Sequence, residues 1–323
     1  MTVSGLAGGL SDMAAGLRIL QDEGVELLPL LQAAFRVRER YFGRRVRVQV
    51  LNNVQNGYCP EDCHYCAQSA NSEASIVRYR VKPEEEILAE AERAWQAGMY
   101  RYCMVLSGRG PNSERLGQMA DLVRRIKARW PIEVCLSAGF IDRPMAATLK
   151  AAGLDRYNHN LNTAEGHYGA ICRTHTYQDR LATLQSARSE GLEVCSGLIV
   201  GMGESDEDLW TVATTLRQLA ARSIPVNFYV HIPGNTLGEV AHGLTPERCL
   251  RILCLFRLVN PDAEIRAAGG REIHLRALSP LSLYPANGLF SAGYLNVGGQ
   301  STADVQQMIL DAGFAVEVVE EAD

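Results

Sequence analysis

The densest chemistry in the chain is Cys59-Pro60-Glu61-Asp62-Cys63-His64-Tyr65-Cys66, three thiols spaced C-x3-C-x2-C. Thiolates hold iron–sulfur clusters, and a complete cubane takes four of them. Three from one short loop can wrap a cluster and leave one iron open, which is what a chelating substrate needs. The alternative is zinc, whose structural sites are closed by a fourth ligand. His64 is the local option, but it lies between two ligands and is badly placed to fold back. Three further cysteines sit on segments that read as strands: Cys103 in YRYCMVL, Cys135 in IEVCLSA and Cys195 in LEVCSGLIVG. Each alone reads as packing, because free cysteine behaves as a small hydrophobe. As a set on inward positions of a barrel, their thiols can converge. Cys172, Cys249 and Cys254 match no ligand pattern. The last two are five apart on one helix and share no face, so all three are read as structural.

These residues need elements to position them. Residues 10 to 42 read as one or two amphipathic helices. Strand-like runs then alternate with helical ones. Strands are expected at Arg45–Leu51, Arg101–Leu106, Ile132–Leu136, Leu154–Asn158, Leu192–Val200, Pro225–Val230, Ala263–Ala267 and Leu289–Ala292. Helices are expected at Pro83–Ala97, Ser113–Arg129, Arg143–Ala152, Tyr177–Glu190, Asp206–Ala221, Pro246–Val259, Arg271–Leu278 and Thr302–Ala312. Strict alternation implies a parallel sheet, and eight units imply closure into a (β/α)8 TIM-type barrel. An open doubly wound sheet is the alternative. The division expected is an N-terminal helical extension over 1–42, the barrel over 43–316 and a frayed acidic tail over 317–323.

Composition narrows the function classes. The chain has 323 residues, 47% hydrophobic and 21% charged, a globular balance rather than a disordered one. A formal charge of -5 with no Lys/Arg block argues against nucleic acid. The longest apolar runs are too short to span a bilayer. Met1 to Leu20 lacks a basic segment followed by an apolar core, so no signal peptide is expected and the protein is read as cytoplasmic. Nine cysteines cannot all pair internally, and in such a chain they point to metal rather than disulfides.

The triplet with Tyr65 before its last cysteine resembles the signature of the radical S-adenosylmethionine (SAM) superfamily. The flanking words Tyr58-Cys59-Pro60-Glu61-Asp62-Cys63 and Cys66-Ala67-Gln68-Ser69 resemble, within it, the biotin synthase family. That resemblance implies a 4Fe–4S cluster on Cys59, Cys63 and Cys66, whose open iron binds SAM and whose electron cleaves it to a 5′-deoxyadenosyl radical. It implies an auxiliary 2Fe–2S cluster on Cys103, Cys135, Cys195 and Arg266. The residues themselves would make Arg266 an ion-paired cation; its role as a ligand comes from the resemblance alone.

The same resemblance covers Tyr157-Asn158-His159-Asn160-Leu161-Asn162, which otherwise reads as turn chemistry. It implies that Asn158, Asn160 and Asn227 face dethiobiotin, and that Tyr65, Asn160, Asn162 and Arg180 serve SAM. A carboxamide both donates and accepts, which suits a ureido ring. The chain departs from the family at Asn162, where Asp is frequent, and at Asn296-Val297, where hydroxyl residues near the substrate carboxylate are frequent. Gly197–Glu204 is a glycine-rich turn expected to approach the SAM adenosine. The implied activity is sulfur insertion into dethiobiotin, sulfur coming from the auxiliary cluster. A one-electron donor such as flavodoxin or ferredoxin and a homodimer are implied as partners. Two other readings stay open. One is another barrel-type radical SAM enzyme, methylornithine synthase-like or hydrogenase maturase-like, which leaves the inner thiols unexplained. The other is a non-enzymatic iron–sulfur or zinc protein.

Overall fold

Residues 45–55 alternate polar and apolar side chains, the pattern of a strand with two different faces. In a computed structural model, which describes residues 9–239 and 243–319, they form β1 (Arg45–Gln55), the longest strand. Parallel pairing continues through β2 (Arg101–Leu106), β3 (Glu133–Ser137), β4 (Arg156–Asn158), β5 (Glu193–Cys195), β7 (Ser223–Phe228), β8 (Glu264–Ala267) and β9 (Gly288–Ser291). β9 returns to β1, with Arg47 opposite Gly288, and the barrel is closed.

The run expected as one strand over Leu192–Val200 is broken. β5 ends at Cys195 and β6 (Leu198–Val200) resumes after Ser196-Gly197, both pairing with β7. Gly197 explains the break: a Cβ there would lie 1.9 Å from the Pro225 carbonyl oxygen, so only glycine lets the two backbones approach. β5 and β6 share one barrel position, and the eightfold count stands. A short β10 (Ala315–Glu317) was not expected; it pairs with the start of β1. Glu317, expected in a frayed tail, is held there because Nε and NH2 of Arg47 both reach its carboxylate at 3.1 Å.

The helices start where their caps are. Asp142 caps α5 (Arg143–Ala151), Thr176 caps α7 (Tyr177–Ser189) and Ser205 caps α8 (Asp206–Gln218). Thr245 caps α9 (Pro246–Val259). Between β4 and α7 lies an unexpected short helix, α6 (Glu165–Ile171). The expected helix Arg271–Leu278 is instead α10 (Arg271–Leu275) followed by a 3-10 segment, Arg276–Leu283. The extension forms two helices, α1 (Met13–Gln21) and α2 (Leu27–Phe42), packed over α9. Covered on both sides, α9 is buried from Cys249 through Val259, which is why it shows no polar face. Its buried arginines reach backbone carbonyls: Arg251 those of Ile19 and Val25, Arg257 those of Pro261, Ala263 and Pro285. Cys249 and Cys254 are completely buried in this helix, and burial pushes the Cys249 thiol up to about 12. Their structural reading agrees with that placement.

The barrel floor is charged. Polar residues near the strand starts point inward and form a chain of alternating sign. It runs Glu317–Arg47–Glu264–Arg101–Glu133–Arg156–Glu193, across six strands and β10. Glu264, 1% exposed, is its hub. Arg101 grips it with two N–H groups at 2.8 and 3.0 Å, and Arg47, Gln49 and Ser223 add donors at 3.1 to 3.2 Å. Burial alone would raise this carboxyl; the Arg101 guanidinium outweighs it and holds the group well below the usual carboxylate range. Glu264→Gln removes the buried carboxylate that faces Arg101, which is at 0% exposure, and leaves the partly exposed Glu133 as its remaining countercharge. The variant should lose about 3–5 kcal/mol of stability in denaturant unfolding at neutral pH. The wild-type contribution is complete above the unfolded-chain pKa of about 4.3 and is lost as pH falls through the lower folded value. The gap between the two proteins should therefore narrow on acidification. A gap that is constant with pH would show that the charge is not what Glu264 contributes.

Candidate active site

The loops after β1, β2, β3, β4, β7, β8 and β9, at the C-terminal end of the strands, face one cavity of about 290 Å³, the usual position of a site in this architecture. Its wall includes Cys59, Cys63, Cys66 and Tyr65 from the loop after β1. It also includes Asn158, Asn160 and Asn162 after β4, Arg180 from α7 and Asn227 from β7. The structure thus brings together residues that sequence separates by up to 168 positions.

The cysteine loop is shaped by local bonds. Gly57 and Tyr58 both take positive φ, 81° and 58°, turning the chain out of β1 just before Cys59. A Cβ on Gly57 would meet Arg78 at 2.7 Å. Gln68 accepts the Gly57 N–H at 3.0 Å, and the Ala70 N–H donates to the Glu61 carbonyl at 2.8 Å, closing the loop on itself. The His64 N–H is anchored to the Ile171 carbonyl of α6 at 2.9 Å. Burial raises the thiols of Cys59 and Cys66, the latter to about 11; contact with Cys172 and burial push Cys63 up. Such thiols stay protonated until a metal displaces the proton. Three thiols from one loop lie on the cavity wall, and the donor set suits an iron–sulfur cluster with one open iron.

The asparagines are held by their neighbours. Asn162 has φ 71°, a conformation Asn tolerates better than most residues, and its amide donates to the Tyr65 hydroxyl at 2.5 Å. Asn160 accepts the Gly197 N–H at 3.0 Å. Asn227 donates to the Leu198 carbonyl at 2.9 Å and accepts from the Gly269 N–H at 3.0 Å. Its carboxamide therefore ties β6 and β7 to the loop after β8, with one proton and one lone pair left for a ligand. Asn296, at a position where the chain departs from the family, forms a reciprocal amide pair with Asn56 at 2.9 and 3.3 Å on the cavity rim.

Deeper in the barrel the inner thiols converge. Strand register sets Cys103 opposite Cys135, and Asn158 opposite Cys195. Cys135 packs with Cys103 and Cys195, and these neighbouring thiols together with burial raise its own. Burial would raise Cys195 too, but Cys135 and the Arg266 guanidinium draw it down to about 5. NH2 of Arg266 lies in close hydrogen-bonding contact with Cys195 Sγ, and its NH1 donates to Gln49 at 2.8 Å. Arg266 Nε has no hydrogen-bond partner; the nearest charge is Glu264 at 3.7 Å. A recess of about 20 Å³ lined by Cys103, Cys135, Arg266 and Asn158 adjoins the larger cavity. Asn158 belongs to both walls and donates to Cys195 Sγ at 3.0 Å. Three thiols, one of them against NH2 of an arginine, fit a second, smaller cluster.

Several residues at the site carry no motif of their own in the sequence. Glu61 sits inside the cysteine motif. It accepts from Thr174, His175 and Arg109, which together outweigh burial and hold its carboxyl below the usual value. Cys172, read as structural, lies with its sulfur 3.8 Å from that of Cys63. Gln49 and Glu264 beneath Arg266 were visible only as polar residues on the inward face of strands, a pattern that a hydrophobic barrel interior does not produce.

Comparison with known proteins accords with this geometry. Residues 54–216 match the Radical SAM superfamily, and residues 225–315 match the Biotin and Thiamin Synthesis associated domain. The chain is 62% identical over 321 residues to a biotin synthase of Magnetococcus marinus, covering 99% of this chain and 100% of that one. It is 55% identical over 303 residues to a biotin synthase of Acaryochloris marina, covering 94% and 87%. Among solved structures, methylornithine synthase superposes with a TM-score of 0.84 at 20% identity, over 98% of this chain and 97% of that one. An FeFe-hydrogenase maturase from Carboxydothermus hydrogenoformans gives 0.81 at 19% identity, over 98% and 78%. These two likenesses speak for the barrel alone.

The two thiols in contact, Cys63 and Cys172, should separate cleanly after anaerobic reconstitution with iron and sulfide. Cys63→Ala is expected to lose the EPR signal of a reduced 4Fe–4S cluster and Cys172→Ala to keep it. Equal loss in both would make Cys172 a ligand.

Proposed function

The chain belongs to the biotin synthase family of the radical SAM superfamily, and from that premise we propose that its cavity seats SAM and dethiobiotin between two clusters. It is a radical SAM sulfurtransferase, and sulfur insertion into dethiobiotin to give biotin is its reaction. Cys59, Cys63 and Cys66 would hold the 4Fe–4S cluster; Cys103, Cys135, Cys195 and Arg266 would hold the 2Fe–2S cluster. When bound, these groups and SAM supply the electron, the hydrogen abstraction and the sulfur, chemistry that no side chain can perform.

The residues supply position. The observation that carries the reading is the shared wall: Asn158 borders the outer cavity and also hydrogen-bonds Cys195 of the inner set. A substrate held by Asn158 and Asn160 would lie between the cysteine loop and the inner thiols. Asn162 and Tyr65, bonded to each other, and Arg180 would order SAM on the side of the cysteine loop. Arg266 is a poor ligand as a cation. Its anchoring through Gln49 and the contact of its NH2 with Cys195 support a held guanidinium that gives one nitrogen to the inner site. Asn227 would act on the substrate chiefly by fixing the backbone around it. Asn296 with Asn56 would offer amide donors at the rim, where the family commonly places hydroxyls.

The partners proposed are a one-electron donor such as flavodoxin or ferredoxin and a second copy of the chain; residence in the cytoplasm goes with them. No helix among the described residues is long and apolar enough to cross a membrane.

Anaerobic incubation with reductant, SAM and dethiobiotin should yield biotin and 5′-deoxyadenosine. Cys135→Ala should still release 5′-deoxyadenosine while forming no biotin. Biotin formed at the wild-type rate by Cys135→Ala would make the inner thiols packing residues and end the two-cluster reading.

A further inference from the structure

His175 lies between two groups with opposite demands. Its Nδ1 is 2.5 Å from Glu61 Oε2, and its Nε2 is 2.8 Å from NH2 of Arg180. A guanidinium only donates, so Nε2 must accept; the ring then carries its proton on Nδ1 and donates it to the Glu61 carboxylate. The order of bonds is fixed from end to end: Arg180 N–H to His175 Nε2, then His175 Nδ1–H to Glu61.

We propose that Glu61 and His175 form a positioning relay that ties the cysteine loop to Arg180 and so sets the arginine for SAM. This rests on the reading above that Arg180 serves SAM. Glu61 stands between Cys59 and Cys63, so whatever orders that loop orders the relay's first member. Glu61 is itself fixed by Arg109 at 2.9 Å and the Thr174 hydroxyl at 2.7 Å. The imidazole is packed edge-on against Phe140, with ring centroids 5.0 Å apart. Arg180 is 8% exposed and directed by all three of its nitrogens. Nε donates to the Tyr168 hydroxyl, NH1 to the Asn160 carbonyl at 2.9 Å and NH2 to His175. Removing His175 frees one limb of a buried fork whose aim depends on all three.

A competing use of the same side chains fails on this geometry. Sulfurs of Cys63 and Cys172 and a nitrogen of His175 are close enough to share a metal ion. Both imidazole nitrogens are already committed, one to a carboxylate and one to a guanidinium, and a metal would have to break one of those charge-assisted bonds.

The test measures SAM affinity of the anaerobically reconstituted protein by equilibrium dialysis, with iron content recorded for every variant. His175→Leu should weaken SAM binding about ten- to a hundredfold, the value of a hydrogen bond to a charged group, with iron content unchanged. His175→Gln should recover most of that loss, because a carboxamide can donate to Glu61 and accept from Arg180. In an Arg180→Met background, His175→Leu should cost nothing further, since the relay acts only through the arginine. Wild-type affinity in His175→Leu, or an equal loss in both backgrounds, overturns the relay while leaving the SAM site intact. Wild-type affinity in Arg180→Met overturns the assignment of Arg180, and the relay falls with it.

Discussion

A carboxylate on a strand start inside a closed barrel has no water to turn to. Glu264 occupies that position, and the floor is built around it. Arg101 from β2, Arg47 and Gln49 from β1 and Ser223 from β7 all donate to its two oxygens. Removing a charge from water is costly, and the cost is offset only if geometry is good and each lone pair is met. That demand fixes how four strands sit relative to one another. Gln49 passes the constraint upward: its amide donates to Glu264, and its oxygen accepts from both Arg101 and Arg266. Arg266 is thus aimed at Cys195 by a chain of bonds that begins at Glu264.

Above the floor the interior is layered, and each layer has its own chemistry. Charges lie at the strand starts and thiols in the middle. Carboxamides follow where the strands end, and the cysteine loop lies over the top. Parallel strands make this possible, because residues at equal depth on neighbouring strands meet at equal height. Leu51, Cys103 and Cys135 are register partners in turn, and Asn158 is level with Cys195. The thiol layer, with Ala268 and Phe290, packs as a cluster of its own, apart from the main hydrophobic core. It is a pocket of soft donors enclosed between a charged floor and a polar rim.

The rim is where chain-distant pieces are joined. Arg180 reaches Asn160, Tyr168 and His175, and His175 reaches Glu61 in the cysteine loop. Asn162 reaches Tyr65 of the same loop. The loop after β1 and the segment after β4 are therefore one polar unit, although nearly a hundred residues separate them. The extension over 10–42 stands apart from this chemistry. It covers α8 and α9 on the outside of the barrel, and its work is to bury apolar surface.

Much of this was legible in the residue order. The cysteine loop was, because its three thiols lie within eight residues and chain connectivity alone keeps them together. The eight barrel positions were, because alternation of strand and helix leaves a periodic record. Other features depended on contacts that no local pattern carries. That Cys103 meets Cys135 follows from strand register, which pairs residues dozens of positions apart, and Cys195 joins them only because the closed barrel packs the three together in its interior. The break at Gly197 follows from how near Pro225 passes. Glu317 belongs to a strand rather than a tail because Arg47 holds it. His175 was an unremarked letter until folding set Glu61 on one side of its ring and Arg180 on the other. The sequence by itself determined the donor types and the elements that bear them, since both are properties of short segments. Only the tertiary structure decided which donors face one another, because a thiol, an amide or an imidazole acquires its role from partners that closure of the barrel brings within bonding distance.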